Sequence, residues 1–126
     1  MNKPVIAAKL LRLLASGGSI ERALAELPMF QAQILSALDW MRRSGRCSDA
    51  EISERALRLR KLIAQKDAAM QRLDLELAAA VRAQECAVFE SFGLRCPRGD
   101  WHSVLRGDID GQTRELSALF YDTNVA

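Results

Sequence analysis

Apolar positions recur at helical spacing from the start of the chain. Over 3–16, Val5, Ile6, Leu10, Leu13 and Leu14 fall on one side while Lys9 and Arg12 fall away from it, the period of an amphipathic helix. Gly17-Gly18 stops that helix and Ser19 supplies an N-cap for the next. Ile20, Ala23, Leu24 and Leu27 give two turns, which Pro28 ends because a residue before proline is pushed out of the α region. A third helix is predicted over 29–43, with Phe30, Ile34, Ala37, Leu38 and Met41 as its apolar stripe, before Ser44-Gly45 closes it. Residues 1–47 therefore predict a trihelical unit.

Ser48 and Glu51 then stand in capping-box spacing, and neither Gly nor Pro occurs from 49 to 92. The pattern predicts one long helix over 48–92. A heptad runs through Ile52, Ala56, Leu59, Ile63, Lys66, Met70, Leu73, Leu77 and Ala80, interrupted by a polar residue at Lys66 alone, which is the signature of a coiled-coil seam. Beyond Ala80 the apolar positions drift to Val81, Val88 and Phe92, as a straight 3.6-residue helix drifts against a 3.5-residue repeat. Gly93 suits a helix C′ position. In 93–126 a loop, a short turn around Trp101, Val104 and Leu105, and a last helix over 113–121 are expected.

Composition narrows the class without changing these elements. A chain of 126 residues allows one domain and an arm, and 49% apolar against 27% charged residues excludes a disordered chain. Few Gly and Pro residues argue against a turn-rich β-sandwich. No apolar run reaches the length of a membrane span, and Lys9 and Arg12 interrupt the apolar opening as a secretory signal would not tolerate; a cytoplasmic protein is expected. The net charge of +2 is unevenly distributed: residues 1–47 carry +4, from seven cations that include Lys9, Arg42, Arg43 and Arg46, and the two later segments carry −1 each. A basic head is what a polyanion partner would feel.

Little in the sequence suits catalysis. His102 is the single histidine, which excludes a two-histidine metal site and a paired general acid and base. Cys47, Cys86 and Cys96 lack Cys-x-x-Cys spacing and cannot all pair within one chain, so they read as idle thiols. No enzyme activity, metal or cofactor is expected.

Segment 10–45, LLRLLASGGSIERALAELPMFQAQILSALDWMRRSG, resembles the helix-turn-helix of LysR-type transcriptional regulators. Gly18-Ser19-Ile20 matches the family's entry into its first motif helix. Ala23 matches the small residue at the crossing, Leu27 and Met29 the turn, Gln31 the following glutamine, and Ile34 and Leu38 the core of the recognition helix. Two helices crossing steeply over a short turn need a small residue at the crossing. Leu24, Pro28 and Leu35-Ser36 depart from the pattern, and Asp39 puts a negative charge on the outward face. The resemblance also implies a dimerising linker helix after the unit, at the place of 48–92, while 93–126 is too short for the family's effector domain.

An all-α protein is thus expected: a helix-turn-helix-like unit over 1–47, a coiled-coil-type helix over 48–92 and a short helical tail over 93–126. The reading makes it a small dimeric DNA-binding protein, a regulator of transcription. Lys9, Arg42, Arg43 and Arg46 would lie on phosphates, with Gln31, Ala32, Gln33 and Ser36 near base edges. Ile52, Leu59, Ile63, Lys66, Met70, Leu73 and Leu77 would form the dimer interface. The alternative is a non-enzymatic helical interaction protein that offers the long apolar helix to a protein partner.

Overall fold

The computed structural model describes residues 3–96, and the turn at Trp101 and the helix expected over 113–121 lie outside them. The described chain is all helical: α1 (Lys3–Ala15), α2 (Ile20–Glu26), a 3-10 turn (Pro28–Phe30), α3 (Gln31–Gly45), α4 (Asp49–Gln71) and α5 (Leu75–Glu90). The start signals act as their chemistry dictates. Ser19 accepts a hydrogen bond from the Arg22 amide at 3.0 Å, and Ser48 with Glu51 closes a capping box on α4. Gly17, at φ +104°, makes the α1–α2 turn in backbone space that side-chain-bearing residues rarely enter.

The helix expected over 48–92 is two helices. It breaks at Arg72-Leu73-Asp74, where Leu73 takes the left-handed conformation at φ 58°. The Leu73 amide donates to Met70 O at 3.0 Å and the Asp74 amide to Ala69 O at 2.8 Å, the pair of bonds that defines a Schellman helix end. Asp74 then caps α5, its carboxylate accepting from the Leu77 amide at 3.1 Å. With three residues between them, the two helices fold back as a hairpin and pack along each other.

Folding back redirects the apolar seam. Ile52, Ala56 and Leu59 are fully buried within the chain, Ile63 is half-buried, and Leu62 and Ala69 replace Ile63 and Met70 as the inward positions farther along. The drift of a 3.6-residue helix against a 3.5 repeat accounts for the change of side. Lys66 is the correction with the largest consequence. Its Nζ donates to Glu85 Oε2 at 2.9 Å, with the Lys66 side chain 10% and the Glu85 side chain 0% exposed. The seam's polar exception therefore ties α4 to α5 and does not face a second chain. Glu85 Oε1 is buried without a hydrogen-bond partner among the described residues.

One core joins the head, α1–α3, to the hairpin: Ile6, Leu10, Ile34, Met41, Ile52, Leu59, Val81 and Phe89 belong to a single apolar cluster. Arg55 fastens the joint. Its guanidinium donates to Gly45 O at 3.0 Å and to Ser91 Oγ at 3.3 Å, and lies 4.7 Å from the Phe92 ring centroid. A Cβ at Gly45 would fall 2.7 Å from Phe92 Cδ1, so the end of α3 reaches the hairpin only because that residue is glycine.

Removing one member of a buried ion pair strands the other charge, which costs about 3–5 kcal/mol, whereas replacing both with apolar groups is often neutral or stabilising. Lys66→Met is accordingly expected to lower the unfolding free energy by about that amount, and Lys66→Met with Glu85→Met to recover most of it. Urea denaturation of the two single variants and the double variant checks this; simple additivity would contradict the pairing.

Candidate nucleic-acid interface

The helix-turn-helix-like geometry rests on α2, the 3-10 turn and α3. Ala23 is buried where α2 meets the head, and Leu27, Phe30, Ile34 and Leu38 point into the core behind it. Leu24, the larger residue beside Ala23, is accommodated at the edge of the core, partly buried. These positions leave the opposite side of α3 to solvent. Gln31 and Ala32 are exposed, while Gln33 and Ser36 are half-buried and line a shallow hollow with Lys3, Ile6 and Ala32. The four residues expected near base edges thus do share one end of α3, with a lysine beside them.

The cations expected on phosphates are arranged differently. Arg42 Nη1 donates to Asp49 Oδ1 at 2.7 Å, and its other nitrogen lies 3.8 Å from Asp39 Oδ1. The Asp49 hydrogen bond raises the Arg42 pKa above its ordinary value, which fixes its charge without freeing it. Arg43 forms an ion pair with the other oxygen of Asp39. Asp39 therefore sits between two arginines and offsets both. Lys9 is half-buried and already engaged by the rest of the chain. Arg46 is exposed at the end of α3, in a left-handed conformation at φ 51°.

A second group of cations lies outside the set expected from the sequence. Arg58, Arg60 and Lys61 are exposed on α4 around the half-exposed Leu57. Among the described residues no carboxylate forms an ion pair with any of the three. Arg60 reaches the α1–α2 turn: a Cβ added to Gly17 would lie 3.2 Å from its Nη1. A signal was present in the sequence, since four cations fall within 55–61 and no acid occurs from 55 to 66. Taking the charge of 48–92 as a whole hid it behind the acids at either end.

The residues expected at a dimer interface do not stay together. Ile52 and Leu59 are inside the core, Lys66 is paired with Glu85, and Ile63 packs partly against the core. Met70, Leu73 and Leu77 are 49, 80 and 39% exposed around the hairpin turn. The seam is therefore not a continuous intermolecular surface, and only its far end faces solvent.

The cysteines also depart from expectation. Cys86 and Cys96 are joined by a disulfide, their Cα atoms 4.8 Å apart. Gly93, at φ 75°, turns the chain after α5 and Leu94 packs into the core, which brings Cys96 back alongside the helix. Cys47 remains a free thiol whose pKa burial pushes up, keeping it protonated at neutral pH. His102 lies outside the described residues. Among the described residues no three His, Cys, Asp or Glu side chains gather as a metal site, and no helix is long and apolar enough to cross a membrane.

Comparisons with protein-family models, curated proteins and solved structures found no match.

Ala23 tests the crossing. Overpacking a small buried site typically costs about 1–3 kcal/mol, so Ala23→Leu is expected to lower the urea midpoint by a corresponding amount. Because head and hairpin share a core, circular dichroism and the fluorescence of Trp40, read with Trp101 replaced by phenylalanine, should report the same single transition. Unchanged stability would show that Ala23 does not hold α2 against the head.

Proposed function

We propose that the protein is a small, non-enzymatic DNA-binding protein of the helix-turn-helix type, acting on transcription as a homodimer. The observation that carries this reading is the α2–turn–α3 arrangement, with Ala23 and Leu27 buried behind it and the Gln31–Ala32 end of α3 open to solvent. An exposed helix end with short polar side chains can enter a major groove and approach base edges. Affinity in such complexes comes chiefly from neutralised phosphates. Arg42 and Arg43 are poorly placed to neutralise them while Asp39 and Asp49 hold them, so in this reading Arg58, Arg60 and Lys61 take that role, with Arg46 and Lys3 nearer to α3.

One observation favours a second reading. Two aspartates, Asp39 and Asp49, that pair with both arginines of α3, together with large apolar residues exposed at the hairpin turn, suit a helical adaptor that binds another protein. The two readings differ in whether a polyanion is bound at all.

Binding of the full chain to random duplex DNA across a salt series separates them. Log affinity should fall with log salt, and Arg58→Gln with Arg60→Gln and Lys61→Gln should reduce the slope by roughly 0.9 for each phosphate that is no longer neutralised. Arg42→Gln with Arg43→Gln should change it less, because each of those cations already has an acidic neighbour. Absence of binding by the wild type at low salt would overturn the DNA reading in favour of the adaptor.

A further inference from the structure

Near the open end of the hairpin, α4 and α5 enclose a cleft of about 190 Å³ lined by Arg55, Arg58, Gln84, Ala87, Val88 and Ser91. The two arginines stand at i and i+3 on α4, and the other four fall at i, i+3, i+4 and i+7 along α5 and its C-cap, the spacing that puts side chains on one face of a helix. Folding back is what brings the two sets together.

Charge in this cleft is one-sided. No acidic side chain lines it, and among the described residues no carboxylate forms an ion pair with Arg55 or Arg58. Like charges at this spacing on a helix repel. Folding gains nothing in exchange from Arg58, which is exposed and makes no hydrogen bond among the described residues. Arg55, by contrast, is fixed in place by neutral groups only: Gly45 O, Ser91 Oγ and the face of the Phe92 ring. Ser91 Oγ is itself held by donating to Val88 O at 2.6 Å. A guanidinium carries five N–H donors in a planar fork, and these contacts orient the fork while using two of them. The Gln84 carboxamide, exposed and without a hydrogen-bond partner among the described residues, adds further donors.

An oriented guanidinium, a second one beside it and a carboxamide, around a space that no carboxylate enters, suit an oxyanion with several acceptor oxygens. Two uncompensated cations match two negative charges. A phosphate monoester carries close to two at neutral pH, whereas each diester of a nucleic-acid backbone carries one. We infer that the α4–α5 cleft is a binding site for a phosphate monoester dianion, with Arg55 and Arg58 on its oxygens and Gln84 at the rim. The inference goes beyond the DNA reading and does not rest on it; the two have only Arg58 in common.

Titration of the full chain with methyl phosphate, followed by heteronuclear NMR at constant ionic strength, tests it at pH 8, above the monoester's second pKa of about 6. The Gln84 side-chain amide and the Ser91 backbone amide should shift along one saturating curve. Arg58→Gln should weaken binding roughly tenfold or more, as loss of a charge-assisted hydrogen bond does, without lowering the melting temperature. Arg72→Gln removes a cation at the far end of the hairpin and should leave binding unchanged, so that overall positive charge is not the cause. Inorganic phosphate should bind as methyl phosphate does, and dimethyl phosphate, which carries the single charge of a DNA backbone phosphate, roughly tenfold or more weakly. Shifts that do not saturate, or that centre on other residues, overturn the inference. So does an Arg58→Gln variant that binds like wild type, or a diester that binds as tightly as the monoester. Failure of DNA binding in the salt series would leave each of these results unchanged, which keeps the two readings apart.

Discussion

A lysine ammonium taken out of water must meet a carboxylate, and in this chain Lys66 meets Glu85. Desolvating two charges is offset only when geometry brings them together within the core. That requirement fixes the register of α4 against α5 and demands a reversal of direction close to midway between the two residues. The Schellman end at Leu73 and the Asp74 cap supply the reversal. An ion pair of this kind is a weak source of net stability; apolar burial along the hairpin favours folding back, and the pair satisfies the two charges which that burial takes out of water.

The rest of the architecture follows from that choice. With its seam turned inward, α4 packs against α1 as well as α5, and the head cannot be separated from the hairpin without opening a common core. Arg55, Gly45 and Phe92 tighten the junction. Burying one side of α4 necessarily presents the other, and that other side carries Arg58, Arg60 and Lys61. The positive field expected at the end of α3 is thereby diminished by Asp39 and Asp49 and gathered instead on α4, beside the α1–α2 turn.

Much of this was legible in the sequence. Ser19, the Ser48–Glu51 box, Pro28 and Gly93 punctuate the chain through local hydrogen bonds and backbone restrictions, which depend on neighbours alone. The inward positions Ile34, Leu38, Ile52 and Leu59 follow from periodicity. The hairpin turn was not legible, because a left-handed leucine carries no turn signature and because Leu73 and Leu77 continue the heptad across the break. Lys66 was the clue, yet its partner lies nineteen positions away and only tertiary folding pairs them. The Cys86–Cys96 disulfide was equally hidden, whereas the Asp39 pairs stand at i,i+3 and i,i+4 spacing on one helix and could have been read from the sequence. Composition registers a cation or a thiol but not the neighbour that occupies it. For the proposed site the sequence identified the open end of α3 and the apolar scaffold behind it, and misplaced the free cations.

The folded-back hairpin is the claim on which the account stands, and a distance across it tests that claim most directly. Spin labels at the exposed positions Glu54 and Glu90, in dilute full-length protein with Cys47 replaced by serine, report the separation of the two helix ends. In a continuous helix these positions would be about 54 Å apart. In the hairpin, where Arg55 touches Ser91 and packed helix axes run roughly 10 Å apart, the labels should lie within about 25 Å of each other. A single distribution centred on the short distance is the result predicted. A distribution centred on the long one would contradict the Lys66–Glu85 pair and the internal seam together.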